Sequence, residues 1–131
     1  MNQIKISLVT IALLSMLNAN AQVANPNVTQ ANIKQTICVP GWTKTIRPSS
    51  YTTNKIKQKM CNDLKISKCS DYILDHLLPL SVGGAPNDPG NFQLQTKAES
   101  YTKDTLERTT KTEVCAGRLT LARGQAKFNK D

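Results

Sequence analysis

The longest run of apolar positions lies at the start of the chain and covers residues 6–17. It follows a short stretch whose single charge is Lys5, and it precedes the small-residue triplet Ala19-Asn20-Ala21. This order is typical of a secretory signal peptide, and the run is shorter than the roughly 20 residues that a membrane-spanning helix needs. An uncleaved anchor is the alternative. The pattern predicts a signal peptide over residues 1–21 and an exported chain that begins at residue 22.

Beyond this leader, the hydrophobic pattern is weak until residue 37. Residues 22–30 read QVANPNVTQ, are mostly polar and show no period, so we expect residues 22–36 to form a loose polar arm. From residue 31 to residue 42 the pattern is mixed and permits a short helix or a short strand. We expect one folded domain over residues 37–131, with a modest hydrophobic core.

Three later stretches have the signals of helices. Residues 55–64 carry apolar side chains at intervals of four, with a candidate N-cap at position 53 or 54. Residues 97–112 are polar, and their acidic residues precede basic ones by four positions, which favours a helix. Thr120 is the expected cap of a last short helix over residues 121–128.

The central stretch, residues 71–91, is ambiguous by periodicity alone. Apolar residues at positions 73, 74, 77 and 78 have helical spacing, but the same run fits a buried strand that ends before Pro79. The Gly83-Gly84 pair and the Ala-Pro-Asn-Asp-Pro-Gly that follows it predict a loop. Residues 91–94 are a candidate for a second short strand. The pattern therefore leaves helix and strand open for residues 71–80.

Four cysteines change the stability expected of so small a domain. An even number in an exported chain argues for two disulfides, and the close Cys-x-x-Cys pair of many zinc sites is missing. Of the possible pairings we favour Cys61 with Cys69, across a short polar segment, and Cys38 with Cys115, which ties the two ends of the domain. On loop-entropy grounds these closures contribute about 2.5 and 4.5 kcal/mol, respectively, to the free energy of unfolding.

The charge of the chain suits an anionic partner. Its 17 Lys and Arg outnumber its 9 Asp and Glu, for a net charge of +8, and the predicted leader contributes only Lys5 to this surplus. Nucleic acid is one such partner, although an anionic cell surface or plain solubility explains the charge equally well. Lys44 and Arg47 are candidate phosphate contacts.

The only histidine of the chain, His76, follows Asp75 directly and precedes the glycine loop. A lone histidine is more often a structural hydrogen-bonding residue than a catalyst. If residues 71–94 form strand, loop and strand, however, the two residues lie at the end of one strand and Asn91 at the start of the next. An imidazole, a carboxylate and an amide so placed suit phosphodiester hydrolysis, in which a base activates water and oxygen ligands hold a divalent cation.

The spacing of these residues resembles a known motif. Asp75-His76-x-x-Pro79-Leu80-x-x-Gly83-Gly84, followed by Asn91-Phe92-Gln93-Leu94, is similar to the HNH endonuclease motif, the ββα-metal nuclease core. Residues 37–126 also resemble a group of small exported HNH-like proteins, through stretches such as CVPGWTKTIRPSSYT and LDHLLPLSVGGAPNDPGN. The resemblance implies an α+β fold with a small ββα-metal core, flanking helices and stabilising disulfides. It favours a strand for residues 71–80.

The resemblance also implies a role for each of the central residues. His76 is the expected general base, Asp75 the expected metal ligand, and Asn91 the residue that positions the base or its loop. The implied cofactor is a divalent cation, with Mg²⁺ first and Mn²⁺, Ca²⁺, Zn²⁺ or Ni²⁺ as alternatives.

The sequence departs from the motif in the helix that follows. The usual place of a second metal ligand holds Ser100, a poor ligand for a divalent cation, so Asp104 or Glu99 is expected to supply it. Alternatively, both acids only form ion pairs along the helix. Lys103 is expected to contact nucleic acid together with Lys44.

These observations predict a secreted or periplasmic, monomeric, metal-dependent endonuclease that hydrolyses DNA, with RNA as a second substrate class. We expect little sequence specificity, because binding through lysine and arginine reads the backbone and not the bases. The alternative is a non-catalytic exported module that binds nucleic acid or another polyanion through a degenerate HNH site.

Overall fold

The computed structural model describes residues 23–129, in which helices flank a small two-stranded sheet. The predicted signal peptide, residues 1–21, lies outside the described residues. The fold is α+β, as the sequence predicted. The main elements in chain order are a 3-10 helix Gln30–Gln35, α1 Trp42–Ile46, α2 Ser50–Asp63, β1 Tyr72–His76, β2 Phe92–Thr96, α3 Lys97–Cys115 and α4 Leu121–Ala126, and three further short 3-10 turns lie before β1 and between the strands.

The two strands pair antiparallel, with Asp75 opposite Gln93 and His76 opposite Phe92. Because alternate strand residues face opposite sides, Asp75 and Gln93 share one face of the sheet, whereas His76 and Phe92 share the other. Helix α3 contacts both strands, and α2 contacts β1. His76 lines a cleft together with residues of α2, and Gln93 lines a cleft together with residues of α3. The sheet therefore separates two differently lined surfaces.

The strand interpretation of the central stretch is confirmed for residues 72–76. The apparent helical spacing misleads because Ile73 and Leu74 lie on β1, whereas Leu77 and Leu78 follow it. The buried residues Leu80 and Val82 belong to a separate short 3-10 helix, Leu80–Val82, which contacts α3 and α4. The second strand begins at Phe92, one residue later than predicted, and continues to Thr96.

Helix α2 begins at Ser50, so the predicted start at residue 55 is wrong. Ser49 caps the helix, because its hydroxyl accepts a hydrogen bond from the Thr52 N–H at 3.2 Å. The residue after Pro48 is thus the cap of the helix. The cap at Thr120 is confirmed, although α4 ends at Ala126 and not at residue 128.

The predicted loose arm is instead packed onto the domain. Val28 and Ile33 are buried in the main hydrophobic cluster, together with Ile37, Val114 and Leu121. The Asn25 N–H donates to the Gly83 carbonyl oxygen at 2.8 Å, so the start of the segment pairs with the glycine loop. Sequence reasoning missed this packing because irregular and 3-10 backbone places its apolar residues at no fixed period.

Both predicted disulfides are present. Cys38–Cys115 joins the N-terminal segment to the end of α3, and Cys61–Cys69 joins the end of α2 to the turn before β1. Two disulfides are compatible with a location outside the reducing cytoplasm. Among residues 23–129, no helix is long and apolar enough to cross a membrane.

Candidate functional site

The loop between the strands is held by the side chain of Asn91, which is fully buried. Its Oδ1 accepts a hydrogen bond from the Leu78 N–H at 2.8 Å, and its Nδ2 donates to the carbonyl oxygens of Leu78 and Ala85 at 3.0 and 2.8 Å. The amide thus binds the start and the middle of the loop simultaneously. In a buried place each of these bonds matters, because an unpaired polar group there costs about 1–3 kcal/mol.

The same loop needs a glycine where it passes closest to itself. A Cβ at Gly84 would lie 1.8 Å from the Leu78 carbonyl oxygen, a distance that no side chain permits. Gly83, with a φ of +86°, adopts the left-handed conformation that disfavours other residues. The glycine pair therefore lets the loop return beside the end of β1.

His76 ends β1 and is only 5% exposed. Its Nε2 lies 3.0 Å from the Pro86 carbonyl oxygen, and its ring centroid lies 4.7 Å from that of Phe92. A carbonyl oxygen accepts hydrogen bonds only, so Nε2 carries the proton and Nδ1 is the nitrogen with the free lone pair. The loop thus fixes both the orientation and the tautomer of the imidazole.

The environment of His76 favours its neutral form. Burial lowers the pKa of the imidazole below its ordinary value of 6.5, and the positive charges of Arg47 and Lys103 lower it further. The hydrogen bond to Pro86 and the charge of Asp75 act in the opposite direction and do not outweigh the burial. At neutral pH the side chain is therefore an unprotonated base.

The carboxylate of Asp75 is bound on both oxygens. Oδ1 accepts the His76 backbone N–H at 2.8 Å, and Oδ2 accepts the Lys103 ammonium at 2.7 Å. The Asp75 side chain is 23% exposed and the Lys103 side chain 10%, so water screens their ion pair only partly. Lys103, which we predicted to contact nucleic acid, forms an ion pair with Asp75.

The two acids expected to supply a second metal ligand lie elsewhere. Glu99 belongs to the capping box of α3, in which its Oε2 accepts the Thr96 N–H at 2.8 Å while the Glu99 N–H donates to the Thr96 hydroxyl. Asp104 is exposed and lines a shallow cleft with Arg108 and Lys111. Among the described residues, neither acid belongs with Asp75 to a group of three or more His, Cys, Asp and Glu side chains that could hold a metal ion.

The donor groups therefore do not fit a divalent cation as they stand. In the described part of the chain, no group of three or more His, Cys, Asp and Glu side chains has the arrangement of a metal site. The expected ligand Asp75 already holds a cation, the ammonium of Lys103.

A basic cleft of about 400 Å³ lies between α2 and β1. Arg47 and Lys57 give it positive charge, Asn54 adds an amide, and His76 and Asp75 line its other wall. Lys44, the other predicted phosphate contact, is not among the lining residues. The sequence left the lysines of α2 at positions 55, 57 and 59 open between a solvated surface and phosphate contact, because they occupy more than one helix face. Only the packed helix shows that Lys57 and Asn54 line the cleft beside β1.

Comparison of the chain with protein-family models, with curated proteins and with solved structures found no match. The chemistry of the cleft around His76 is therefore the basis on which a function is assigned.

Proposed function

We propose that the chain is a secreted or periplasmic HNH-like endonuclease, which hydrolyses phosphodiester bonds of DNA, and of RNA as a second substrate class, with little sequence specificity. The observation that carries the proposal is the hydrogen bond from His76 Nε2 to the Pro86 carbonyl oxygen. It supports a general base because it leaves Nδ1 unprotonated in a residue that lines a basic cleft.

The proposed reaction uses the imidazole as the proton acceptor. A water molecule attacks the phosphorus atom while Nδ1 of His76 takes its proton. The bond from phosphorus to the leaving oxygen breaks, and the leaving oxygen takes up a proton from solvent water. The imidazolium so formed is stabilised by the nearby carboxylate of Asp75, whose charge raises the pKa of His76. The hydrogen bond at Nε2 keeps the ring in place throughout.

Arg47 and Lys57 are the proposed phosphate contacts. Their charges line the same cleft as His76, where they neutralise phosphate oxygens of any sequence. This arrangement supports a preference for polyanions and explains why no sequence readout is expected.

The resemblance implies a divalent cation, Mg²⁺ first, but we assign no step of the reaction to it because Asp75 is bound to Lys103. If nicking is lost in chelator, Asp75 must exchange the ammonium for the cation. Nicking that persists in chelator assigns the hydrolysis to side chains alone.

The test is a plasmid nicking assay with the purified chain. Wild type, His76→Ala and the control Lys59→Ala, an exposed lysine of the same helix α2 outside the cleft, are incubated with Mg²⁺, with Mn²⁺ and with chelator. We expect Lys59→Ala to nick as wild type does and His76→Ala to lose at least about 100-fold in rate. Equal rates for His76→Ala and wild type would contradict the proposal.

A non-catalytic polyanion-binding module is the second candidate, and the ion pair of Asp75 with Lys103 favours it. In that case every variant binds DNA and none cuts it. Replacing Lys57 by alanine then weakens binding and lowers its salt dependence by about one counterion, whereas Lys59→Ala does neither.

A further inference from the structure

A second cleft, of about 490 Å³, lies on the opposite face of the sheet from His76. It is formed between β2, α3 and the residues that follow α4. Its walls are mostly apolar, and its floor is polar. Its lining includes Gln93, Gln95, Lys103, Leu106 and Phe128.

The floor of this cleft consists of two glutamine side chains. Gln93 and Gln95 alternate along β2 and therefore share one face of the sheet. They are only 8% and 6% exposed, and the Oε1 atom of each is buried with no hydrogen-bond partner among the described residues. Buried amides are normally paired, because an unmade hydrogen bond costs free energy there. Two unpartnered amide oxygens on one face of the strand point to a ligand that offers hydrogen-bond donors.

We propose that this cleft is a subsite for one unpaired nucleobase of the nucleic acid. A base is flat, with apolar faces and an edge of donors and acceptors, and glutamine amides pair with such edges through their oxygen and nitrogen. An amide that turns by half a rotation exchanges these two atoms, so each glutamine can offer the group that the base requires. The Phe128 ring and Leu106 supply the apolar walls against which a base stacks.

The ion pair between Asp75 and Lys103 connects the two clefts. Asp75 lines the basic cleft and lies opposite Gln93 in the sheet, whereas Lys103 lines the second cleft, with its ammonium 6.0 Å from the Phe128 ring centroid. A strand that crosses the end of β1 thus has a phosphate near His76 and a base near Gln93. The inference rests on the proposed function for the phosphate half of this arrangement, and it requires single-stranded substrate or an extruded base.

The binding test uses the His76→Ala chain, so that no substrate is consumed. Its affinity is measured by fluorescence anisotropy for a short single-stranded thymidine oligonucleotide and for an abasic oligonucleotide with the same number of phosphates. We expect about tenfold weaker binding of the abasic strand. Equal affinity for the two strands overturns the subsite.

Substitutions of Phe128, in the wall of the second cleft, distinguish stacking of a base from attraction between charges. Phe128→Leu keeps an apolar side chain but loses the ring, so it should abolish the preference for the base-bearing strand and leave abasic binding unchanged. Phe128→Tyr restores the ring and should restore the preference. If Phe128→Leu weakens both strands equally, the ring only supports the fold and the subsite is wrong. Thermal unfolding verifies that each variant is folded.

The two proposals fail separately. A chain that prefers bases over abasic sites but nicks nothing keeps the base subsite and loses the hydrolysis. A chain that nicks DNA but binds abasic and normal strands alike keeps the hydrolysis and loses the base subsite.

Discussion

The ammonium of Lys103, on α3, lies 2.7 Å from Oδ2 of Asp75, at the end of β1. This contact fixes α3 against the sheet at the point where the two clefts meet. It also determines what Asp75 can do, because a carboxylate that holds one cation has little capacity left for another.

Loss of this ion pair should destabilise the fold. We expect Lys103→Met to lower the free energy of unfolding by about 1–3 kcal/mol, because it leaves a mostly buried carboxylate without its partner. The double variant with Asp75→Asn should recover part of the loss. Urea unfolding of the single and double variants measures the coupling, and the exposed pair Lys59–Asp63 is the control, with an expected coupling of about 0.5 kcal/mol or less. A coupling as small as that of the control would show that the contact is incidental.

The same substitution should change metal binding. Lys103→Ala opens Oδ2 of Asp75, so we expect it to bind Mn²⁺ more tightly than wild type does, as measured by titration calorimetry. The variant that also carries Asp75→Asn should lose the gain. Tight binding by wild type would contradict the claim that these donors do not fit a divalent cation.

The loop should depend on the amide of Asn91. Asn91→Ala leaves the Leu78 N–H and the Leu78 and Ala85 carbonyl oxygens unpaired, so we expect a loss of about 3 kcal/mol or more in unfolding free energy. Asn62→Ala, on the exposed surface of α2, should change it by no more than about 0.5 kcal/mol. Denaturant midpoints at equal slope compare the two, and similar values would contradict the role given to Asn91.

Stability should fall in mild acid because of His76. Its pKa is lowered in the folded chain, so the unfolded chain takes up the proton first as the pH drops below 6.5. The stabilisation from the neutral imidazole is therefore complete above that pH and is lost as the pH falls through the lowered folded value. Unfolding of wild type and of His76→Gln, from about pH 8 to about pH 5, should differ in slope within this window. Parallel curves would show that burial does not oppose protonation of His76.

The two disulfides should differ in their effect on stability. Replacing Cys38 and Cys115 by alanine removes a closure of 77 residues, and replacing Cys61 and Cys69 removes one of 8. We expect losses of about 4.5 and about 2.5 kcal/mol, respectively, in the free energy of unfolding, measured by denaturant titration. The reverse order would indicate that residual structure in the unfolded chain governs both.

Local signals predicted much of the fold. Three features depend only on residues close together in the sequence and could be predicted from them. They are the glycine loop, the cap at Thr120 and the polar helix α3. The pairing of Cys38 with Cys115 also follows from the sequence, since these cysteines lie near the ends of the predicted domain.

The contacts that the sequence did not predict join residues that are far apart in the chain. Val28 and Ile33 have no period of their own and become core residues only because Val114 and Leu121 meet them. From the sequence alone, Lys103 has the character of a surface lysine. It pairs with the carboxylate of Asp75, 28 positions earlier in the chain, only because α3 packs against the sheet. Gln93 and Gln95 look like solvent-facing polar residues for the same reason.

Successive side chains of β1 alternate between the two faces of the sheet. The orientation of Asp75 and His76 therefore changes when a single residue is inserted before them. One residue inserted between Leu74 and Asp75 would turn the carboxylate towards α2 and the imidazole towards α3. Asp75 would then lose Lys103, and His76 would leave the basic cleft. Extra residues near Asp88, in the exposed part of the connection, leave this alternation untouched. Insertions should therefore be tolerated in the exposed part of the connection, near residues 87–90, and rejected within the strand.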